Sequence, residues 1–408
     1  MRPYRYCFPR VTKNLFFSLV FVSTLGVTPA RAGFPVDKGD FEALTHSGFE
    51  HFYSLEYDQA IRDFQKALEV RPDEPKAMNH LLEARLFQQL YKYNALDTRL
   101  YTKQRFLTSK QVPIEPAAKK QLSELTERAL AASEKRLRND PRDVQALYSH
   151  GVTEGLRSTY LAVAEHSFWA ALKYALAARH DHEQVLKLQP DFTDAKTVVG
   201  AHNYVVGHLS LPVKAMAGIA GIHGDKNKGL QLLAEAGKAG GESSTDARVT
   251  LALFLRREER YPEAIDVVRT LTREHPHNFL FALEEGNLLR DGGRGPESIN
   301  VYRALLNGCS EGKYPAAHVE MAQFALGEAL RGQHQFAEAL EAYRAAVNTS
   351  DYDPDLHQRA LLGAGEVLDL MAKRQDALVE YRAAIAVDSA TEEADTARKH
   401  LDKPYKTH

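Results

Sequence analysis

The sequence predicts an all-helical protein built from helix pairs stacked side by side. Three observations lead there. A small residue recurs twelve positions after a glycine: Gly48 and Ala60, Gly286 and Ser298, Gly327 and Ala339, Gly365 and Ala377. An aromatic ring follows four positions later in each, as Phe64, Tyr302, Tyr343 and Tyr381. The composition, 44% hydrophobic and 26% charged, is that of a globular chain, which excludes a polytopic membrane protein and a disordered one.

The pattern has a physical reading. Where two helices cross at close range, a side chain larger than alanine holds the backbones apart. An aromatic four residues on lies on the same helical face and fills the next gap. Pro72 and Pro276 end such segments, because proline cannot sit inside a helix. One pair cannot bury its apolar face alone, so pairs must stack.

Taken in order, residues 1–32 stand apart from the fold. Arg2, Arg5, Arg10 and Lys13 precede an uncharged run from Leu15 to Val27, and Ala30-Arg31-Ala32 places small residues where a signal peptidase reads. The run is shorter than the roughly 20 apolar residues of a membrane span. A Sec signal cleaved after Ala32 is therefore expected, with a periplasmic or secreted product. Of the 52 basic residues five lie in this leader, leaving 47 against 54 acidic ones. That is the wrong sign for nucleic-acid binding. Cys7 belongs to the leader, so Cys309 has no intramolecular partner.

Residues 33–111 should hold the first pair and a further first helix from Pro75 to Tyr93, before a polar and aromatic stretch from Asn94 to Gln111. Residues 112–242 depart from the pattern. Val112 to Pro116 breaks the chain, and an amphipathic helix follows from about Ala117 to Arg138. Gly151 to Pro190 is longer by 15 residues than Gly48 to Pro72, so both helices of that pair should be lengthened. After Gly200 the next second helix waits until Gly229, which leaves an insertion containing Pro212, Gly221 and Gly224. Residues 243–402 return to regular pairs, including a second helix from Tyr261 to Leu271. The strongly charged segment Thr391 to Leu401 reads as a capping helix, and residues 403–408 as a tail.

The search for chemistry finds little. Gly224 and Gly229 have phosphate-loop spacing, but Leu230 stands where lysine is needed, so the glycines are read as close helix packing. His180-Asp-His182-Glu183 lacks the second histidine of a zinc motif, Leu186 occupying its place. His275 and His277 flank a proline in a turn, and Cys309 is expected in a loop with no evident base. The apolar span from Val198 to Ile222 contains His202, His208, Pro212 and Lys214, so it reads as core helices, not as a membrane segment. No catalytic residue, metal ligand or cofactor is expected, and the chain is not read as an enzyme.

The repeated spacings resemble the tetratricopeptide repeat family, whose 34-residue unit carries Gly, Ala, aromatic, Ala and Pro at these offsets. The resemblance covers most of residues 37–402. A shorter likeness, Leu211-Pro212 followed by Gly221-Ile-His-Gly224-Asp225-Lys226 and Gly229-Leu230, is similar to a segment of the tetratricopeptide repeat protein 39 family. It suggests common ancestry and transfers no function.

What the family resemblance implies is a helical solenoid whose first helices line a concave groove. The positions it assigns to that groove give Phe49, Phe52, Tyr53, Tyr148, Tyr204, Asn287 and Arg290 as partner-binding residues. Chaperone-binding members hold a terminal carboxylate with a lysine before the glycine. Here Thr45, Tyr148, Thr197, Leu283, Phe324 and Leu362 stand there, so no such clamp is expected. The implied function is an exported, non-catalytic scaffold that binds a protein or peptide partner in its groove, with no nucleic acid and with peripheral association to the cell envelope. The alternative is a carrier of a lipid or small apolar molecule, held between the long central helices and the insertion at 212–229. A closed apolar cavity beside the insertion would favour the carrier; an open groove with clustered aromatics would favour the scaffold.

Overall fold

The computed structural model describes residues 41–98, 111–219, 221–315, 317–349 and 353–406. The leader with Cys7, and most of the polar stretch after Asn94, lie outside the described residues. Among the described residues regular structure is entirely helical, in 18 helices. The chain divides after Glu258 into two compact units; the boundaries expected near 111 and 242 both fall inside the first.

The first unit holds α1 (Phe41–Tyr53), α2 (Tyr57–Val70), α3 (Pro75–Lys92), α4 (Pro116–Asn139), α5 (Val144–Val163), α6 (Phe168–Leu188), α7 (Ala195–Gly207), α8 (Leu211–Ile219), α9 (Lys226–Lys238) and α10 (Ser244–Arg257). α1 packs on α2, α3 on α4, α5 on α6, and α7 on α9. As the spacing predicts, α5 and α6 are long, at 20 and 21 residues against 13 and 14 for α1 and α2. Side-chain caps fix three of the starts, those of α3, α5 and α9. Asp143 accepts from the Ala146 amide at 3.0 Å, and Asp225 from the Lys228 amide at 2.8 Å, which satisfies amides that have no partner within the helix.

The second unit holds α11 (Tyr261–Glu274), α12 (Phe279–Asp291), α13 (Gly295–Ser310), α14 (Val319–Gly332), α15 (Phe336–Thr349), α16 (Pro354–Leu370), α17 (Arg374–Val387) and α18 (Glu392–Asp402). α12 pairs with α13, α14 with α15, and α16 with α17. α18 is the charged cap. It buries Ala394 and Ala397, and Arg374 reaches across to its last turn, donating to the carbonyls of His400 and Leu401 at 2.7 and 2.8 Å. Cys309 lies in the last turn of α13 and not in a loop, because that helix runs on to Ser310.

The recurring glycines do what their spacing requires. A Cβ placed on Gly365 would stand 2.5 Å from Cε1 of Tyr381, and one on Gly327 would stand 2.8 Å from Cδ1 of Tyr343. Gly48 and Gly286 lie in the same way under the rings of Phe64 and Tyr302. Each ring is thus seated on bare backbone of the partner helix. Seven residues after the glycine the chain reverses through a left-handed residue: Leu55, Gly293, His334 and Ala372, with φ of 64°, 76°, 58° and 58°. The next amide then closes the turn on a carbonyl five residues back, as in Arg294 to Leu289 at 2.8 Å and Lys373 to Leu368 at 2.9 Å.

Candidate functional site

In the second unit the inner positions of α12, α14 and α16 carry Asn287 and Arg290, Glu328 and Arg331, and Glu366 and Asp369. The tyrosine whose ring sits on each glycine uses its hydroxyl to hold one of them. Tyr302 donates to Asn287 Oδ1 at 2.8 Å, Tyr343 to Glu328, and Tyr381 to Asp369 Oδ2 at 2.9 Å. The polar side chains therefore occupy defined places. Arg331 bridges Glu366 and Glu328, the latter at 3.2 Å, and Arg374 pairs with Asp369 at 3.0 Å. Burial pushes the Glu366 carboxyl up to about 7, with Glu328 and Asp369 adding like charge against the opposing pull of Arg331. Asn287 is buried and committed to Tyr302, while Arg290 is half-buried and pairs with its neighbour Asp291 at 3.0 Å.

In the first unit the aromatic residues expected to contact a partner are interior. Phe49, Phe52, Tyr53, Tyr148 and Tyr204 are all buried. Phe49 meets Phe64 and His80 edge-on, both with centroids at 4.9 Å, and Phe52 meets Tyr57 at 5.4 Å. Tyr148 packs against Phe192 at 4.9 Å. Tyr204 stacks on Phe254 of α10 at 3.9 Å and donates to Glu258 at 2.9 Å. The physical reason is that the unit's own helices meet this face, with α10 reaching it at Tyr53 and Tyr204. Tyr53 donates to Asp246 at 3.3 Å, Lys76 pairs with Glu242, and Arg256 donates to Thr98 at 3.2 Å. The offsets mark one face of each helix, and no local spacing reports which distant residues meet it.

The insertion is a packing device with one exposed element. A Cβ on Gly229 would stand 2.7 Å from the carbonyl oxygen of Gly200, and one on Gly224 2.6 Å from Cβ of Val206, so glycine lets α7 and α9 touch backbone to backbone. α8 rests on this base through Val213 and Ala217, which cluster with Val206 and Leu209. Its outer stripe is apolar: Leu211, Met216 and Ile219 are 84%, 59% and 90% exposed. Between α5, α6 and α7 the cavity holds only about 20 Å³. Gly155, Ser158, Ala175 and Ala178 line it, and such small residues bring the helices together. A lipid has no room there, so this cavity does not favour the carrier reading.

The histidine clusters come apart. His182 is buried with Nδ1 donating to the Ala178 carbonyl at 2.7 Å, while His180 is exposed on the far side. His277 Nδ1 donates to the Lys313 carbonyl at 2.9 Å. Among the described residues no three His, Cys, Asp or Glu side chains converge as metal ligands, and no helix is long and apolar enough to cross a membrane.

Residues 231–318 match the family model described as tetratricopeptide repeat. No curated protein sequence matches the chain, so the likeness of 211–230 to the tetratricopeptide repeat protein 39 family stands on those residues alone. Among solved structures, a tetratricopeptide repeat protein from Parabacteroides merdae is 12% identical, with 79% of this chain and 98% of that one covered and a TM-score of 0.34. PilF of Pseudomonas aeruginosa is 12% identical, with 64% and 100% covered and a TM-score of 0.40. Yeast Tom70 is 13% identical, with 89% and 88% covered and a TM-score of 0.37. Likenesses this remote transfer no ligand or activity. Residues 231–318 thus carry tetratricopeptide repeats, and the glycine-seated tyrosines continue the same packing beyond them through α17.

Proposed function

We propose that this chain is an exported, non-catalytic scaffold that recruits a protein partner in the cell envelope, with α8 as its principal docking element. The repeat fold supports the scaffold role, since such stacks commonly present surfaces to proteins or peptides. The single observation that carries the docking element is the stripe of Leu211, Met216 and Ile219, exposed together on one nine-residue helix. Clustered exposed apolar surface marks interaction sites. α8 itself carries a single charged residue, Lys214, which falls short of the basic collar that an anionic membrane calls for. The concave groove of the first unit is less suited to this role, because α10 already lies in it. The basic, apolar and small-residue order of residues 1–32 supports export.

The test is a photoreactive residue at position 216 in the full chain, irradiated in envelope extract and read by mass spectrometry of proteins and lipids. A single protein adduct that disappears in Leu211→Glu/Ile219→Glu, with thermal stability unchanged, is the expected result. A stoichiometric lipid and no protein would refute the scaffold. For export, the mature chain should begin at Gly33; a chain beginning at Met1 in membranes would refute cleavage.

A further inference from the structure

The segment that follows α18 folds back onto the second unit. Lys403 is extended, with φ of −132° and ψ of 126°, as a residue before proline prefers. Beyond Pro404 the chain reaches the last turn of α16, where the Tyr405 amide donates to Asp369 Oδ2 at 2.8 Å. The Tyr405 ring meets His400 edge-on, with centroids 5.3 Å apart. Burial opposes the charge on Arg331, while Glu328, Tyr343, Glu366 and lastly Tyr405 uphold it, so the phenol of this strap lies within electrostatic reach of α14.

The place where the strap rests is built for it. The Asp369 side chain is only 1% exposed, and it is fixed by Arg374 at 3.0 Å and by the Tyr381 hydroxyl at 2.9 Å. The same Arg374 guanidinium holds the carbonyls of His400 and Leu401, so one group sets both the seat and the root of the strap. His400 Nε2 lies 3.5 Å from Glu366 Oε1. The last repeat also departs from its two predecessors here. In α12 and α14 the seated tyrosine holds the residue after the glycine, Asn287 and Glu328; in α16 it holds Asp369, four after the glycine. At that later position α12 and α14 carry Arg290 and Arg331, which can only donate. α16 alone of the three presents an acceptor there, and a fixed acceptor for a main-chain amide takes an extended segment whatever its side chains.

We propose that Lys403–Lys406 is an autoinhibitory strap, occupying in cis a seat on Asp369 and His400 that takes an extended segment of a partner protein. The partner's backbone amide replaces that of Tyr405 on Asp369, an aromatic side chain replaces the Tyr405 ring on His400, and the strap lifts for it to enter. The strap is suited to lifting, since Lys403, Pro404 and Lys406 are exposed and Tyr405 is half-buried. Only Lys403 and Pro404 separate Tyr405 from the end of α18, so the tethered segment acts at an effective concentration of about 1 mM or more. Weak ligands are thereby excluded. The seat lies in the second unit, so its failure would leave the α8 reading standing.

The experiment is fluorescence anisotropy with a labelled, end-blocked peptide of residues 402–406, added to the full chain and to the full chain carrying Tyr405→Pro. That substitution removes the amide from Asp369 and the ring from His400 together, and the strap lies outside the helices, so the unfolding midpoint should stay close to the parent's. Saturable binding to Tyr405→Pro is expected, with the parent weaker by about tenfold or more because its own strap competes. Tyr405→Ala, which keeps the amide and loses the ring, should fall between them. A peptide with proline at position 405, which lacks the amide, should bind neither chain. Equal affinity in parent and Tyr405→Pro, no binding to Tyr405→Pro up to about 10 mM, or equal binding of the proline peptide would overturn the proposal.

Discussion

Glycine to alanine should have opposite signs at two positions of the second unit. At Gly365 the new methyl would lie 2.5 Å from Cε1 and 2.7 Å from Cδ1 of Tyr381, where carbon atoms normally sit about 3.5–4.0 Å apart. The ring would have to retreat by about 1 Å. It has nowhere to go, since Tyr381 is fully buried and its hydroxyl is tied to Asp369 at 2.9 Å. Overpacking of this kind costs about 1–3 kcal/mol, and loss of the hydrogen bond about 1 more. Alanine returns about 1 kcal/mol through helix propensity. The net effect is a loss of about 1–3 kcal/mol. At Gly332 an added Cβ meets nothing within 4 Å, so only the propensity term acts. It is reduced at the end of α14, to a gain of about 0.5 kcal/mol. With about 2–4 °C per kcal/mol for a unit of this size, Gly365→Ala should lower the calorimetric midpoint by about 2–12 °C, and Gly332→Ala should raise it slightly. A Gly365→Ala protein as stable as the parent, or a fall of similar size at Gly332, would refute the view that the glycine is a seat for the ring.

Three further outcomes follow from the same unit. Ala372 is exposed and left-handed at φ 58°; such a conformation costs about 1–2 kcal/mol for a residue with a Cβ, so Ala372→Gly should gain about 0.5–1 kcal/mol in urea unfolding after the entropy of the unfolded glycine is charged. Glu366 holds its proton up to about 7 against a usual 4.5. A raised folded value stabilises the fold fully below the unfolded value and fades as pH rises through the folded one. Stability should thus fall by about 1–3 kcal/mol between these limits; Glu366→Gln should flatten that slope, and an unchanged slope would place the titration elsewhere. Tyr381→Phe should cost about 1 kcal/mol by removing the hydroxyl from Asp369, measured by the same unfolding, whereas no loss would mean that the ring alone holds the repeat.

Much of the fold could be read from the chain because its determinants are local. A glycine twelve residues before a small residue, and an aromatic four beyond that, are consequences of one helix crossing another. They located α1 with α2, α12 with α13, α14 with α15 and α16 with α17. The long α5 and α6 followed from a count of residues without a breaker. The left-handed turns were legible only at Gly293, because Leu55, His334 and Ala372 adopt the same conformation without glycine. There the closing hydrogen bonds impose what residue type does not announce. The burial of the groove aromatics was not legible, for a different reason. Periodicity tells which face of a helix turns inward, and it cannot tell whether solvent or another helix meets that face. For Tyr53 and Tyr204 the answer depended on α10, almost 200 residues beyond Tyr53 in the chain.

That dependence bears on where binding can occur in the first unit. An inner face sealed by α10 is held by Tyr53 to Asp246, Lys76 to Glu242 and the Tyr204–Phe254 stack. To open it, a partner would have to replace buried aromatic contacts and a partly buried ion pair. A peptide gains little by competing for that surface. Surfaces that the seal leaves unsatisfied are cheaper to use. The α8 stripe already exposes apolar area. It gains from a partner without first giving up native contacts. It lies where the repeat pattern is interrupted, in the insertion after α7. In this unit the regular positions serve packing, and the departures from regularity are what remains available for recognition.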